Sequence, residues 1–324
     1  MFIVEQTTMI QLEGIEKELL KKLEQKDYSL GQLSLMSEKE LAEDLEIEEE
    51  LAALIIQKAQ EQLGIHPYTA AEFLEIERRR GRITTGSEEF DSMLNGGIWT
   101  GEITELVGSF SSGKTQLCFQ LCINVQLPKD LGGLEGKAFF IDTERTFSPQ
   151  RIEEIASFRI KNTKKVLDNI LVAPTSNTDI MLAYINQLEK IIPEENIKLV
   201  IIDSLAAHFR AEFIGKDRLV ERQQKIMNLA EKLVEIAVDH DVAIVVTNQI
   251  IAAIDQFLYG SGEEPALGFA WAHRPQQRIF LRKSRGSARI ARLFDSSRFP
   301  DREILFYVTE QGISDTSPAS LEFY

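Results

Sequence analysis

The chain has 324 residues, 44% of them hydrophobic and 27% charged, enough for one large domain with a core of its own and a small one beside it. Its formal net charge of −15 argues, taken alone, against a protein that coats itself in nucleic acid, because neutralising phosphates takes Lys and Arg, but the distribution of charge matters more than the sum. Cys118 and Cys122, the two cysteines, stand four residues apart on one expected helix and read as small buried residues, with no disulfide or zinc framework. The N-terminus has no basic region followed by an apolar run, and no stretch approaches the ~20 apolar residues of a membrane span, so a soluble, intracellular protein with no membrane partner is expected.

Residues 1–64 carry 15 Asp and Glu against 6 Lys, a net of −9, and read as a unit apart. Its segments "GIEKELLKKLEQKD", "SEKELAEDLEI" and "EEELAALIIQKAQEQLG" space their apolar residues helically, with Ser37 and Glu40 set as a capping box and Gly64 as a C-terminal cap. A small all-helical domain is expected. Residues 65–82 read as a linker: "HPYTAAEFLEIERRRGR" has near its start a proline that stops a helix, carries a helix of its own and ends in a basic cluster.

From residue 83 to 324, strands alternate with helices: "ITELV", "KAFFID", "NILVAP", "IKLVIID", "VAIVVTN", "RIFLRK", "ARLFDS" and "EILFYVTEQGI". The early strands are continuous apolar runs separated by helices, which indicates a parallel sheet buried on both faces; the last three lie close together and suggest an antiparallel edge. The fold class is α/β, an ATPase core with a mainly parallel central sheet behind the helical head.

"VGSFSSGKTQLC" (107–118) carries the chemistry. Between the strand "EITELV" and the helical run "TQLCFQLCINVQL", the spacing Gly108-x4-Gly113-Lys114-Thr115 is that of a phosphate-cradling loop. Gly108, Ser109, Ser111, Ser112 and Gly113 offer backbone N–H groups to the phosphates of ATP. Lys114 reaches the β/γ oxygens, Thr115 faces Mg²⁺, and Gln116 follows as a further nucleotide contact. Asp203 ends "KLVIID", where a carboxylate serves Mg²⁺ and its waters. "FFIDTERTF" sets Asp142 and Glu144 at a second strand tip, and Glu144 is the candidate base that polarises the water attacking the γ-phosphate. At a third tip, "VVTNQ" offers the amides of Asn248 and Gln249 as γ-phosphate sensors, with helix capping as the alternative.

Together "RITTGSEEFDSMLNGGIWTGEITELVGSFSSGKTQLC", "NVQLP", "GKAFFIDTERTF", "HFRAEFIGKDRLVERQQ", "VTNQI" and "LRKSRGSARIARLFDS" resemble the archaeal RadA and eukaryotic Rad-type strand-exchange recombinases of the RecA superfamily. The resemblance covers residues 66–315 closely and the head more loosely. It implies an ATP-dependent filament on single-stranded DNA that pairs it with a homologous duplex, in a cytoplasm beside the nucleoid or in a nucleus. It makes Lys114 and Thr115 the phosphate and Mg²⁺ residues, Glu144 the catalytic glutamate and Gln249 the link from nucleotide to DNA. Arg151 becomes the guanidinium stacked on adenine, while His273 and Asp295 reach ATP from a neighbouring protomer, so that subunits self-associate into a filament or ring.

Two regions match the family's DNA-binding loops. In "RAEFIGKDRLVERQQ", Arg210, Lys216, Arg218 and Arg222 supply positive charge beside Gly215, interspersed with acids that fit a solvated helix start equally well. The second, residues 250–275, is long for a loop without a function; Phe257, Tyr259, Phe269 and Trp271 can stack on bases or pack the loop's own core. Behind it "RKSRGSAR" places four basic residues in eight, Arg285 among them, as a phosphate contact.

Four positions depart from the family pattern. Arg145 and Glu46 stand where it has glycine, Leu267-Gly268 where it has two glycines, and Ser297 where it has proline. These leave open a paralogue that binds ATP and DNA and assists a main recombinase, whereas an unrelated helicase or signalling ATPase does not account for the "RAEF…RQQ" block. The family's linker also inserts a phenylalanine and, three residues on, an alanine into the next protomer. Ungapped alignment puts Pro67 and Ala70 there; Tyr68 and Ala71 restore the spacing after a slip of one, at the cost of turning each side chain of an added strand to the other face, and are expected to mediate subunit contact, the alternative being that Pro67 ends the head and the linker has lost its anchor.

Overall fold

The computed structural model describes residues 12, 14–65, 67–252, 263–265 and 267–317. The chain divides into two units, Met1–Arg78 and Arg79–Tyr324.

In the first unit four short helices bury one leucine-rich seam: α1 (Lys17–Gln25), α2 (Leu30–Leu35), α3 (Glu38–Leu45) and α4 (Glu49–Gln62). Leu23, Leu33, Leu41, Leu45 and Ile55 meet in its core. Ser37 and Glu40 form the expected capping box, Ser37 Oγ accepting from Glu40 N at 3.2 Å and Glu40 Oε2 from Ser37 N at 3.1 Å. Ser29 and Gln32 start α2 in the same way. That helix is absent from the sequence reading because six residues span too few turns to show a period. Gly64 follows α4 at φ +68°, as a C-terminal cap requires. Glu46, where the family has glycine, takes φ +55° at the end of α3, and Ile47 N closes the turn onto Ala42 O.

Thr69 and Glu72 form a further capping box, so α5 (Ala70–Arg79) begins immediately after Thr69. Ala71 is therefore helical, and the alternation of an added strand does not govern its direction. None of the residues of α5 is buried, and Phe73, Leu74 and Ile76 are exposed.

The second unit opens with β1 (Arg82–Ile83), α6 (Glu88–Met93) and β2 (Ile98–Trp99), β1 and β2 forming a small antiparallel pair. There follow β3 (Glu102–Gly108), α7 (Lys114–Asn124), β4 (Lys137–Asp142), α8 (Pro149–Ser157), α9 (Thr163–Asp168), β5 (Ile170–Pro174), α10 (Thr178–Glu195) and β6 (Ile197–Asp203). After α11 (Ala206–Glu212), α12 (Leu219–Asp239), β7 (Ala243–Ala252), β8 (Glu263–Pro265) and α13 (Phe269–Ala272), the chain ends in β9 (Gln277–Lys283), β10 (Ala288–Ser296), β11 (Arg302–Thr309) and β12 (Gly312–Ser314). The main sheet runs β12-β11-β10-β9-β3-β7-β6-β4-β5, parallel from β9 to β5 and antiparallel from β9 to β12.

Side-chain alternation divides the parallel strands between two cores. Leu199 and Ile201 of β6 pack on the α7 side, Val200 and Ile202 on the side of α10 and α12. Cys118 and Cys122 are fully buried free thiols, their pKa values pushed up by burial. Two details differ from the sequence reading. "EILFYVTEQGI" contains a turn and makes two strands, β11 and β12. Segment 250–275 starts as strand, because β7 runs on to Ala252 and pairs with β8, Ile250 opposite Pro265.

Candidate active site

The phosphate loop joins β3 to α7. A Cβ on Gly108 would lie 2.3 Å from Leu281 O, so the close approach of β9 demands glycine there. Gly113, the N-cap of α7, needs glycine for its φ of +104°. The loop curls around the lysine it carries: Lys114 Nζ donates to Gly108 O at 2.8 Å and Ser109 O at 2.9 Å. Burial lowers the pKa of that ammonium, opposed by the charges of Asp203 and Glu144.

Thr115, one residue into α7, donates its hydroxyl to Asp203 Oδ2 at 2.7 Å, and Thr247 of β7 donates to the other oxygen of the same carboxylate. Asp203 is 3% exposed, and burial raises its pKa against those two hydrogen bonds. A threonine hydroxyl and a carboxylate are hard oxygen donors of the kind Mg²⁺ takes while it keeps waters and phosphate oxygens for its other positions. Among the described residues there is no cluster of three or more acidic, His or Cys side chains to cage a metal outright.

The tip of β4 lies against that of β6, Thr143 Oγ1 donating to Ser204 O at 2.8 Å. Asp142 turns inward and accepts from Thr146 N and Phe147 N, both at 3.1 Å, which folds the turn that presents Glu144. Arg145 takes the left-handed conformation, φ +57°, at the position of the family's glycine, with its side chain exposed. Glu144 Oε1 accepts from Ser204 Oγ and from Gln249 Nε2, and Gln249 Oε1 accepts from Arg210 Nη1 of α11. Glu144, Gln249, Arg210, Ala207 and Ala211 line one open cleft.

Asn248 does not join this group. Neighbours on a strand point to opposite faces, and its buried amide donates to Glu105 at 2.7 Å. Of the two candidate sensors, only Gln249 faces the cleft.

Arg151 is held between elements: its Nε donates to Gln116 Oε1 at 2.9 Å and its Nη1 to Glu310 O at 2.8 Å in the β11–β12 turn. Asp295 pairs with Arg278 at 3.5 Å, and His273 closes α13.

The candidate DNA residues separate. Arg210 meets Gln249, and the charge of Arg210, second to burial, lowers the pKa of Arg222, so these two guanidinium groups share one neighbourhood. Lys216 lies in the short 3-10 turn Lys216–Arg218. Arg218 is engaged locally, donating to Glu212 O at 2.8 Å, pairing with Glu221 and lying over Phe213. Arg285 is exposed in the β9–β10 turn, whereas Arg289 of the same basic run donates to Ser111 O and so supports the phosphate loop. Nothing in its spacing distinguishes Arg289 from its neighbours. Trp271 is wholly buried and donates to Glu105 at 2.8 Å, which removes it as a stacking platform. Phe257 and Tyr259 lie outside the described residues.

Among the described residues no helix is long and apolar enough to cross a membrane. Residues 78–316 match the Rad51 family model. Over 313 residues, 95% of each chain, the protein is 42% identical to the DNA repair and recombination protein RadA of Metallosphaera sedula. With the loop, the carboxylates and the sheet order in place, the chain belongs to the Rad51 family, the RadA-type and Rad51-type recombinases of the RecA superfamily.

Proposed function

We propose that this protein assembles on single-stranded DNA and exchanges it with a homologous duplex, using Mg²⁺ and ATP, in the compartment that holds the cell's DNA. The observation that carries the proposal is the hydrogen-bonded chain Ser204–Glu144–Gln249–Arg210, which joins the candidate base to the helix leading into the basic segment 210–224. DNA phosphates drawing on Arg210 would release Gln249, and through it change the hydrogen bonding of the carboxylate that acts on water.

In this reading the N–H groups of the loop and Lys114 hold the phosphates of ATP, and Gln116 and Arg151 lie on the adenine side. Thr115 and Asp203 would hold Mg²⁺, which neutralises charge developing on the phosphate oxygens. Glu144 orients the attacking water and takes its proton. His273 and Asp295 complete the site of a neighbouring protomer, and Tyr68 with Ala71 mediates contact between subunits in a filament or ring. Lys216, Arg222 and Arg285 bind phosphates without reading sequence, with Phe257 and Tyr259 stacking on bases.

The domain limits follow function: residues 1–64 as an acidic head, 65–82 as a linker and 83–324 as the ATPase. Homologous exchange between a circular single strand and a linear duplex, with ATP and Mg²⁺, tests the reading. DNA-stimulated hydrolysis without exchange would instead indicate a paralogue that assists another recombinase.

A further inference from the structure

The face of the sheet turned away from α7 carries a row of acidic and basic side chains, of which the chemistry above uses only Asp295. Glu105, in the middle of β3, has no exposed surface. Its Oε2 accepts from Arg278 Nε at 2.7 Å, and its Oε1 from Trp271 Nε1 at 2.8 Å and Asn248 Nδ2 at 2.7 Å. Three elements, β9, α13 and β7, thus converge on one carboxylate. Arg278, 4% exposed at its side chain, stands directly opposite Glu105 in the β3–β9 register and directly opposite Asp295 in the β9–β10 register.

A bulge makes the second of these placements. Leu293 pairs with Ile279 and Asp295 with Arg278, so Phe294 is an extra residue in β10. Its ring lies 4.9 Å from the Arg278 guanidinium. In a regular ladder Phe294 would oppose Arg278, and Asp295 would oppose Gln277. Bulges interrupt pairing and re-aim a side chain; this one brings a carboxylate to a guanidinium already held by Glu105.

Cohesion of the strands does not require these charges, because apolar side chains of similar volume often stabilise a buried site as well as an ion pair does. What an apolar trio cannot do is fix the direction of a carboxylate at the surface. Asp295, 54% exposed at its side chain, is that carboxylate.

We propose that Glu105 is a positioning residue for ATP turnover: through Arg278 it sets where Asp295 stands, and through Asn248 and Trp271 it ties that position to the strand of Gln249 and to the far end of segment 250–275. The inference rests on the reading in which Asp295 reaches the ATP of a neighbouring protomer and Gln249 senses the γ-phosphate. A protomer's own site and the cap that it offers its neighbour are then linked through one buried carboxylate.

The test is the ATP dependence of single-strand-stimulated hydrolysis by the full-length chain, for Glu105→Gln, Asp295→Asn and the double variant. Glu105→Gln keeps the shape and one acceptor oxygen and removes the charge opposite Arg278. Each single change is expected to raise the half-saturating ATP concentration about five- to tenfold, the range of a modest coupling between sites. Turnover at saturating ATP is retained in Glu105→Gln, a split that general loss of structure does not produce. The double variant is expected to be no worse than the worse single, because both changes break one row. Trp271→Phe removes the indole N–H together with one ring of a wholly buried side chain, leaves both charges of the row in place, and carries the same comparison if Glu105→Gln fails to fold. Multiplying effects in the double variant, or unchanged half-saturation in a folded Glu105→Gln or Trp271→Phe protein, would overturn the coupling and leave the proposed function standing. An unaltered protein without DNA-stimulated hydrolysis would remove the proposed function, and this coupling with it.

Discussion

Gln249 donates to Glu144 Oε1 at 2.7 Å, and Ser204 donates to the same oxygen at the same distance. The candidate base is therefore oriented by one hydroxyl and one amide donor on a single oxygen. Glu144→Gln keeps the shape and loses the basicity, so hydrolysis should fall about 10²- to 10⁴-fold, the ordinary contribution of a positioned general base, with ATP still bound. Unmutated turnover in that variant, measured by phosphate release, would reassign the base.

Lys114→Ala should abolish the thermal stabilisation that ATP confers and with it all nucleotide-dependent behaviour. In the absence of nucleotide the same change should cost little stability, because a buried ammonium bears a desolvation penalty that its bonds to Gly108 and Ser109 only offset. Differential scanning fluorimetry with and without ATP checks both parts. An ATP-induced shift equal to that of the unaltered protein would place the phosphates elsewhere.

Arg210 lines the cleft and opens the basic segment 210–224, which makes Lys216→Ala with Arg222→Ala a test of DNA binding. Single-strand affinity, read by fluorescence anisotropy at matched salt, should fall and its salt dependence should flatten by about two phosphate contacts. ATP binding should survive. Equal affinity for both proteins would move the DNA path away from segment 210–224.

Tyr68 is 44% exposed, and its ring lies 6.4 Å from that of Phe73 on α5, whose apolar residues are exposed too. If this aromatic surface meets a neighbouring subunit, Tyr68→Ala should reduce oligomer size at low protein concentration and lower DNA-stimulated hydrolysis in parallel. Identical light scattering from the two proteins would shift the subunit contact to another surface.

His208 sits inside the core end of α11, bonded to Thr175 at 2.8 Å. Burial lowers its pKa, and the charge of Glu212 partly restores it. The unfolded chain therefore binds the proton more readily, and stability should decline as pH falls from about 6.5 through the lowered value. Urea unfolding of His208→Gln should show a shallower loss across pH 7 to 5. The same slope in both proteins would exclude His208 as the titrating group.

Local chemistry made much of this protein legible in one dimension. Apolar runs become buried strands wherever helices cover both faces, which is why "KLVIID" and "KAFFID" read correctly as β6 and β4. The loop from Gly108 to Thr115 is equally local, because its backbone conformation and its lysine act within eight consecutive residues. Ser37 and Glu40 signal a helix start for the same reason.

Partnerships across strands had no such signal. Asn248 and Gln249 are adjacent in "VVTNQ", and only the pleat of β7, set by the strands on either side, sends one to Glu105 and the other to Glu144. Arg289 and Arg285 belong to one basic run, yet the β9–β10 turn leaves Arg285 at the surface while Arg289 meets the phosphate loop. Stacking on bases and packing inside were equally open to Trp271 by sequence, and α13 lays it against a buried carboxylate. The opposing Asp295 and Arg278 depend on one inserted residue, Phe294, whose bulge exists only in the paired sheet. Side-chain type and spacing are properties of the chain, but which charge meets which is decided by register, and register is a property of packed strands.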